Sequence, residues 1–600
     1  MKKEINLLII FFCFGFVVQF FAQTLDSPEI TAAEIQDHIN YLASDELKGR
    51  DTGTEECLEA ARYIENEFKK YGLTTFFDGS YLQEFPFISS IQLNENNILT
   101  ITLPEKELNP VLHEDYITLP FSGNADVDAE LVFAGFGISA PKLVYDDYEN
   151  LDVKDKIVVV LRNHPDQDNP HSEFDNFAPL RKKSSVARDK GAVGIIFVNG
   201  YEEFKLGDDL VDFTYDRGGA VTDFAITNIK REVVEEIFNS NGMSFKNHYD
   251  KIIKELKPAS FNFKNINAKL SAGVEEIETI SWNVAGYLPA AYPKFKDEFI
   301  VLGAHFDHLG MGGSNSLYQG DDPQVHNGAD DNASGTAGVL ELAEKFASVR
   351  DKLNRNILFV AFSGEEHGLL GSNYFVNNLP IAVNQMVTMI NMDMIGRLND
   401  EKSLIVYGTG TSTDWKVFLD DNNGYGFSLT FNDEGYGPSD HSSFYGKEIP
   451  VLFFFTGTHT DYHKPSDDAD KINTAGEEDV LKYIFDFTYL ISNLMEAPDY
   501  LLVEKKDMGQ IPGRKVWVGT IPDFAGDVDG YKISGVSDGS PAQLGGLQGG
   551  DIIIKFGEKK ISNIYDFTYA LADFVPGDKV KVIVKRGEEE ITFEVTLKSK

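Results

Sequence analysis

Cysteine is nearly missing, with two residues in 600. Cys13 falls in an apolar N-terminal run expected to be removed, so the mature chain keeps Cys57 alone and no internal disulfide can staple it. The same shortage excludes a thiolate metal site. Positive charge is scarce too: 54 Lys and Arg stand against 95 Asp and Glu, for a formal net charge of −41. A surface of that sign repels phosphate backbones and anionic lipid, which argues against nucleic acid as a partner and mainly serves solubility. Internal repeats and long low-complexity tracts are absent. The N-terminal apolar run, Leu7–Phe21, follows Lys2-Lys3 and precedes Ala22-Gln23-Thr24. This is the layout of a secretory signal over residues 1–23, because a spanning helix takes roughly 20 apolar residues and a positive stop-transfer flank is lacking. The expectation is a secreted protein, periplasmic or extracellular, with no stable membrane insertion after signal removal.

Hydrophobic residues at 42% and charged residues at 25% are ordinary globular usage, and 600 residues imply two to four folding units. Thr31–Leu47 and Thr54–Tyr71 read as helices, the second with Glu55-Glu56 early, Lys69-Lys70 late and Gly72 as its stop. From about Asp115 short β-rich runs take over, including Glu130–Phe136, Ile157–Leu161 and Val193–Val198. Strand and helix alternate again from near Glu298 to Met495, the pattern of a parallel or mostly parallel α/β sheet. A third texture begins near Lys505, with strands expected at Gly530–Val536, Asp551–Phe556 and Val580–Arg586 and a helix around Tyr565–Phe574.

In the α/β region, hydrophobic strands end where acidic or imidazole side chains begin. Phe299–Ala304 runs into His305 and Asp307, Ile357–Phe362 into Glu365 and Glu366, and Met386–Met392 into Asp393. Val451–Phe455 precedes His459 and His463, and the loop Gly328–Asn332, with Asp331, opens a helix. Ligands of open α/β sheets bind outside the carboxyl ends of the strands, so these side chains are expected to converge. A mixed nitrogen and oxygen set suits zinc or a similar divalent ion better than calcium. Five donors exceed the need of one tetrahedral ion and suit two ions sharing a carboxylate. His308, His326, His367, His441 and His459 also lie nearby, so spacing alone leaves open which imidazoles bind.

His305-Phe306-Asp307, Gly328–Gly335, Gly364-Glu365-Glu366-His367-Gly368, Asn391–Met394 and Tyr462–Pro465, in that order, closely resemble the M28 zinc aminopeptidases; the likeness extends to Leu42–Arg50 and Gly72-Leu73. The resemblance implies a mixed-sheet α/β sandwich, split into a first part over 28–114 and a second over 269–498. It implies two Zn2+ per chain, with His305, Asp331, Glu366, Asp393 and His463 as metal ligands, Asp331 bridging. Glu365 is then the general base, and Asp307 orients the His305 ring. Tyr462 either stabilises the oxyanion or packs. The expected substrates are peptides with a free N-terminus, cut after their first residue.

Residues 115–268, with Tyr145–Leu151, Lys156–Val160 and Ala187–Val198, resemble a protease-associated domain inserted between those parts. Residues 506–600, with Ser540-Pro541-Ala542 and Leu547–Asp551, resemble the PDZ domains of bacterial secreted proteases, which implies a possible peptide or protein ligand. Its carboxylate-binding loop, Val518-Gly519-Thr520-Ile521, departs from the usual pattern, while strand addition stays open. Two alternatives share these features: a dipeptidase or carboxypeptidase of the same superfamily, and a non-catalytic peptide-binding scaffold. Intact Glu365 and all five ligands speak against the scaffold.

Overall fold

Two amphipathic helices, α1 (Ala32–Leu42) and α2 (Glu55–Tyr71), lead the chain in. The hydroxyls of Thr31 and Thr54 cap them by accepting the N–H of Glu34 and of Cys57. α2 carries acidic residues in its first turn and lysines in its last, as the helix dipole favours, and stops at Gly72 with φ 70°. The helix expected over Thr31–Leu47 ends early, at Leu42. Asp45–Arg50 forms a tight turn instead, with Gly49 at φ 70°. A Cβ there would stand 2.4 Å from the carbonyl oxygen of His326, so only glycine lets the turn press against that loop.

This computed structural model describes residues 29–600 except 168, 170, 171, 202–207, 216–222, 293, 314, 319, 321, 504–515, 523–527, 529, 538, 562, 563, 572, 573, 588 and 600. The expected signal, with Cys13, lies outside the described residues. Among the described residues, no helix is long and apolar enough to cross a membrane.

The main sheet has nine strands. Its principal members are β1 (Leu82–Leu93), β2 (Val274–Leu288), β3 (Phe295–His305), β4 (Arg355–Phe362), β5 (Met386–Met392), β6 (Ser403–Tyr407), β7 (Ser428–Asn432) and β8 (Val451–Phe455). The order is Thr74–Thr75, β2, β4, β3, β5, β8, β6, β7, with β1 paired on β2. The centre, β4-β3-β5-β8, is parallel, while β2 and β6 run antiparallel to their neighbours there. Every residue of β4 and β5 is buried, as parallel strands covered on both faces require. One face packs on α1, α2, α3 (Gly335–Ser348) and α4 (Thr474–Asn493), through residues such as Ile35, Ile64, Leu340 and Ile484. The other face packs under Phe375 and Phe444. The result is the mixed α/β sandwich.

Between β1 and β2 sits an eight-stranded sheet with its own two cores. The parallel strands Ile157–Leu161, Gly194–Val198 and Ala225–Ile229 lie inside it, with helices Leu180–Asp189, Arg231–Ser240 and Phe245–Glu255. This sheet starts ahead of the boundary expected at 115 and closes beyond 268. Strand Ile98–Thr102 pairs Leu99 with Leu270 and Ile101 with Ala268, and all four are buried in one core. Burial of that shared apolar face assigns both strands to the insert.

The C-terminal unit is an antiparallel sheet of six strands, including Tyr531–Val536, Ile552–Phe556, Lys579–Arg586 and Glu589–Thr596, with helices Pro541–Gly545 and Ile564–Leu571. Among the described residues, strand Thr520–Pro522 pairs only with Tyr531–Val536.

Candidate metal centre

Parallel pairing aligns the carboxyl ends of the central strands: His305 lies opposite Phe362, and Gly303 opposite Asn391. His305 therefore closes β3 beside the loop of Glu365 and Glu366 that follows β4, and beside Asp393, which follows β5. Asp331 comes from the turn Ala329–Ser334 ahead of α3, where its non-helical backbone (φ −109°, ψ 89°) swings the carboxylate out of the helical path. Gly328 makes this possible: it has φ 56°, and a Cβ would stand 2.2 Å from the Asp331 carbonyl oxygen and 2.5 Å from the His308 ring.

The five expected ligands meet. His305 Nε2 lies 3.4 Å from Asp331 Oδ1 and 3.4 Å from Asp393 Oδ2. His463 Nε2 lies 3.2 Å from Asp331 Oδ2 and 3.4 Å from Glu366 Oε2. The two oxygens of Asp331 thus face two different His–carboxylate pairs. Two donors about 2.1 Å from a tetrahedral zinc stand about 3.4 Å apart, so these pair distances are compatible with such an ion; among the described residues, the groups of three donors close enough to share one are His305, Asp331 and Asp393, and His308, Asp331 and Glu366.

Neighbours hold these donors in place. His463 Nδ1 donates to the Asn315 carbonyl at 2.9 Å, leaving Nε2 to face the carboxylates. His305 Nδ1 lies 3.2 Å from the Asp307 main-chain oxygen and 3.7 Å from its carboxylate. That carboxylate, wholly buried, also accepts from Thr52 Oγ1 at 2.7 Å and from the N–H of Glu365 at 3.3 Å, tying Glu365 to the β3 end. His308 Nδ1 donates to Glu366 Oε1 at 2.7 Å. Ser439 Oγ donates to Asp393 Oδ2 at 2.7 Å, and Asp467 Oδ2 accepts the N–H of both Asp330 and Asp331, at 2.9 and 3.1 Å.

His308 is among the imidazoles whose binding the spacing leaves open, whereas Ser439 and Asp467 do not figure in the sequence analysis. For His308 the only signal is its place three residues after His305. For the other two, isolated polar residues in loops, there is none. The remaining nearby histidines serve elsewhere: His326 bonds Ser316 and Gln324, His367 meets Asp51, His441 stacks on Phe453 and His459 faces Asp330.

Charge follows the same division. Burial pushes the Glu365 carboxyl well above its usual range, and Glu366, Asp440 and Asp393 add to this against the pull of His305. Burial also lifts Asp393, outweighing His305. At Asp331 burial is overcome by His308, His305 and His463, which hold its carboxyl well below normal. Burial opposes protonation of His463, yet Glu366 and Asp331 bring it up to about 9. Such a concentration of buried carboxylates calls for cationic charge.

A cavity of about 200 Å³ is lined by Asp331, Glu365, Glu366, Asp393 and His463 and by Met394, Tyr407, Pro438, Phe453 and Phe455. The Tyr407 and Phe453 rings stack at 5.4 Å, and Phe453 and Phe455 at 5.7 Å. Tyr462 also lines the cavity, its ring stacked on His463 at 3.9 Å.

Residues 283–488 match the family model of peptidase family M28, residues 127–237 that of the PA domain and residues 512–597 that of the PDZ domain. A leupeptin-inactivating enzyme 1 of Streptomyces exfoliatus is 32% identical over 173 residues, 29% of this chain and 35% of its own. A probable zinc metalloprotease of Pyrenophora tritici-repentis is 42% identical over 106 residues, 18% of this chain and 22% of its own. A leucine aminopeptidase 2 of Trichophyton rubrum is 29% identical over 175 residues, 26% of this chain and 30% of its own. The chain thus spans about a third or less of the length of these relatives.

Proposed function

We propose, for a chain whose residues 283–488 match the model of peptidase family M28, that it is a zinc-dependent aminopeptidase releasing the N-terminal residue of peptides. The observation that carries this reading is the Asp331 carboxylate, one oxygen turned to His305 and Asp393 and the other to His463 and Glu366. His305 and Asp393 would hold one zinc, His463 and Glu366 a second, and Asp331 both. Bound there, the ions supply Lewis acidity towards the scissile carbonyl and an acidified water.

The protein's part is proton transfer and positioning. The Glu365 carboxylate borders the cavity beside the ligands and is the one acid among them left for general-base work. It takes the proton of the water whose oxygen bonds to the carbonyl carbon, and passes it to the amine nitrogen as the C–N bond breaks. Asp307, through the N–H of Glu365, fixes where that base stands. Tyr462 either donates to the carbonyl oxygen or holds the His463 ring by stacking.

The apolar cavity takes the side chain of the N-terminal residue, and the free amino group finds its counter-charge among the carboxylates. The names of the zinc metalloprotease and leucine aminopeptidase relatives support this reading. Export belongs to it as well, on Lys2-Lys3, the apolar run and Ala22-Gln23. The edge strand Thr520–Pro522 leaves the PDZ domain open to a peptide added in strand form.

The test is a panel of aminoacyl reporters and peptides, free or N-acetylated, with and without chelator. Cleavage of free peptides alone, lost on chelation and restored by zinc, is expected. Equal cutting of the acetylated peptide sinks the aminopeptidase reading.

A further inference from the structure

The segment Leu47–Thr52 lies before the PA insert in sequence and takes no part in the proton transfers, yet it runs beside the metal loops. At its centre is Arg50, with 0% of its surface exposed. The guanidinium donates from Nε to the carbonyl of Phe306 at 2.7 Å, and from Nη1 to Asn327 at 2.8 Å and to Leu42. Its Nη2 donates to Gly328 at 3.1 Å. Among the described residues, no ion pair joins it to a carboxylate.

Those carbonyls are not scattered. Phe306 lies between His305 and Asp307, and Asn327-Gly328 lead into the turn that carries Asp331. One planar group therefore grips both loops whose side chains meet at His305 Nε2 and Asp331 Oδ1. The backbone adds to this: the N–H of His308 donates to the Arg50 carbonyl at 3.3 Å, and that of Gly310 to Gly49 at 3.1 Å. Burying a cation is costly unless its hydrogen bonds are met, and here main-chain oxygens meet them. Burial pushes the pKa of Arg50 down to about 10, against the pull of Asp307 and Asp331, so the group stays charged at neutral pH. A lysine has one nitrogen in place of a rigid fork and cannot span carbonyls of two loops in the same way.

We propose that Arg50 is a positioning residue that sets the spacing of the His305 and Asp331 loops, so that the segment ahead of the PA insert fixes the zinc affinity of ligands far along the chain. The inference rests on reading the five donors as a zinc site.

Arg50→Lys and Arg50→Met in the full chain test it, read by zinc affinity in chelator competition, circular dichroism of the metal-free protein and kcat against KM. Both variants are expected to keep the wild-type dichroism and to bind zinc roughly 10–100-fold more weakly, the range typical of groups that orient metal ligands. In Arg50→Lys, kcat should fall with KM little changed, and excess zinc should restore part of it. Wild-type zinc affinity in a variant that merely melts at lower temperature overturns the proposal, leaving Arg50 as packing. A wild-type protein that binds no zinc refutes the metal site itself, a separable result. Should both variants misfold, hydrogen exchange on the wild-type chain decides: zinc should slow exchange at the His308 and Gly310 amides, and an unchanged rate overturns the coupling.

Discussion

Shortening the substrate's first side chain from leucine to alanine probes the cavity beside the metal ligands. Its walls are Met394, Tyr407, Pro438, Phe453 and Phe455, and its volume of about 200 Å³ accepts the whole isobutyl group. Alanine leaves three carbons fewer in that apolar space. At about 0.8 kcal/mol per buried carbon the loss is about 2.4 kcal/mol. At about 1.36 kcal/mol per decade of rate, this is a drop of about 60-fold in kcat/KM, if the contact is complete in the transition state. The assay compares kcat/KM for leucyl, methionyl, phenylalanyl, alanyl, lysyl and glutamyl reporters at one zinc concentration. Leucine, methionine or phenylalanine should lead, with alanine well behind and glutamate lowest, because its charge would meet apolar walls and the carboxylates Asp331, Glu365, Glu366 and Asp393 that also line the cavity. An alanyl reporter cut as fast as the leucyl one, or a preference for glutamate, would show that the first side chain does not enter this cavity.

Glu365→Gln should keep its zinc yet lose roughly 10²–10⁴ in kcat, the usual worth of a positioned acid–base group; metal analysis beside a peptidase assay checks both halves, and an active variant rejects the base. Asp331→Ala should bind fewer than two zinc equivalents, and full occupancy in this variant rejects the shared carboxylate. His441 carries a pH signature. Burial pushes its pKa from about 6.5 down to about 3, and among the described residues neither ring nitrogen has a hydrogen-bond partner. The folded form therefore binds fewer protons than the unfolded chain between those values, and stability falls as pH drops through that window. The stability of the wild type relative to His441→Gln should decline from pH 7.5 to pH 5 in urea unfolding; a constant difference contradicts a neutral buried ring.

Most of the candidate donors were legible because His305, Glu365, Glu366 and Asp393 sit where apolar strands run out, a local pattern that needs no knowledge of the partners. Helix α2 was legible for the same reason, since Thr54, Glu55-Glu56, Lys69-Lys70 and Gly72 act within one turn of its ends. Less could be read where a contact decides. The helix expected through Leu47 stops at Leu42 because the next residues turn against the His326 and Gly310 loops. The insert boundary moved because Leu99 and Ile101 find Leu270 and Ala268 far along the chain.

By itself the order of residues set out the candidate donors, imidazoles and carboxylates gathered near strand ends, and left open which imidazoles would serve. Tertiary structure decided who orients whom. It set the Asp307 carboxylate among His305, Thr52 and Glu365, set His308 on Glu366 and Asp467 under the Asp331 turn, and buried Arg50 among main-chain oxygens of two loops. The physical reason is reach. A strand end or helix cap is specified by neighbours a few residues away, whereas a hydrogen bond across some 280 positions exists only once the sheet has aligned the loops that share it.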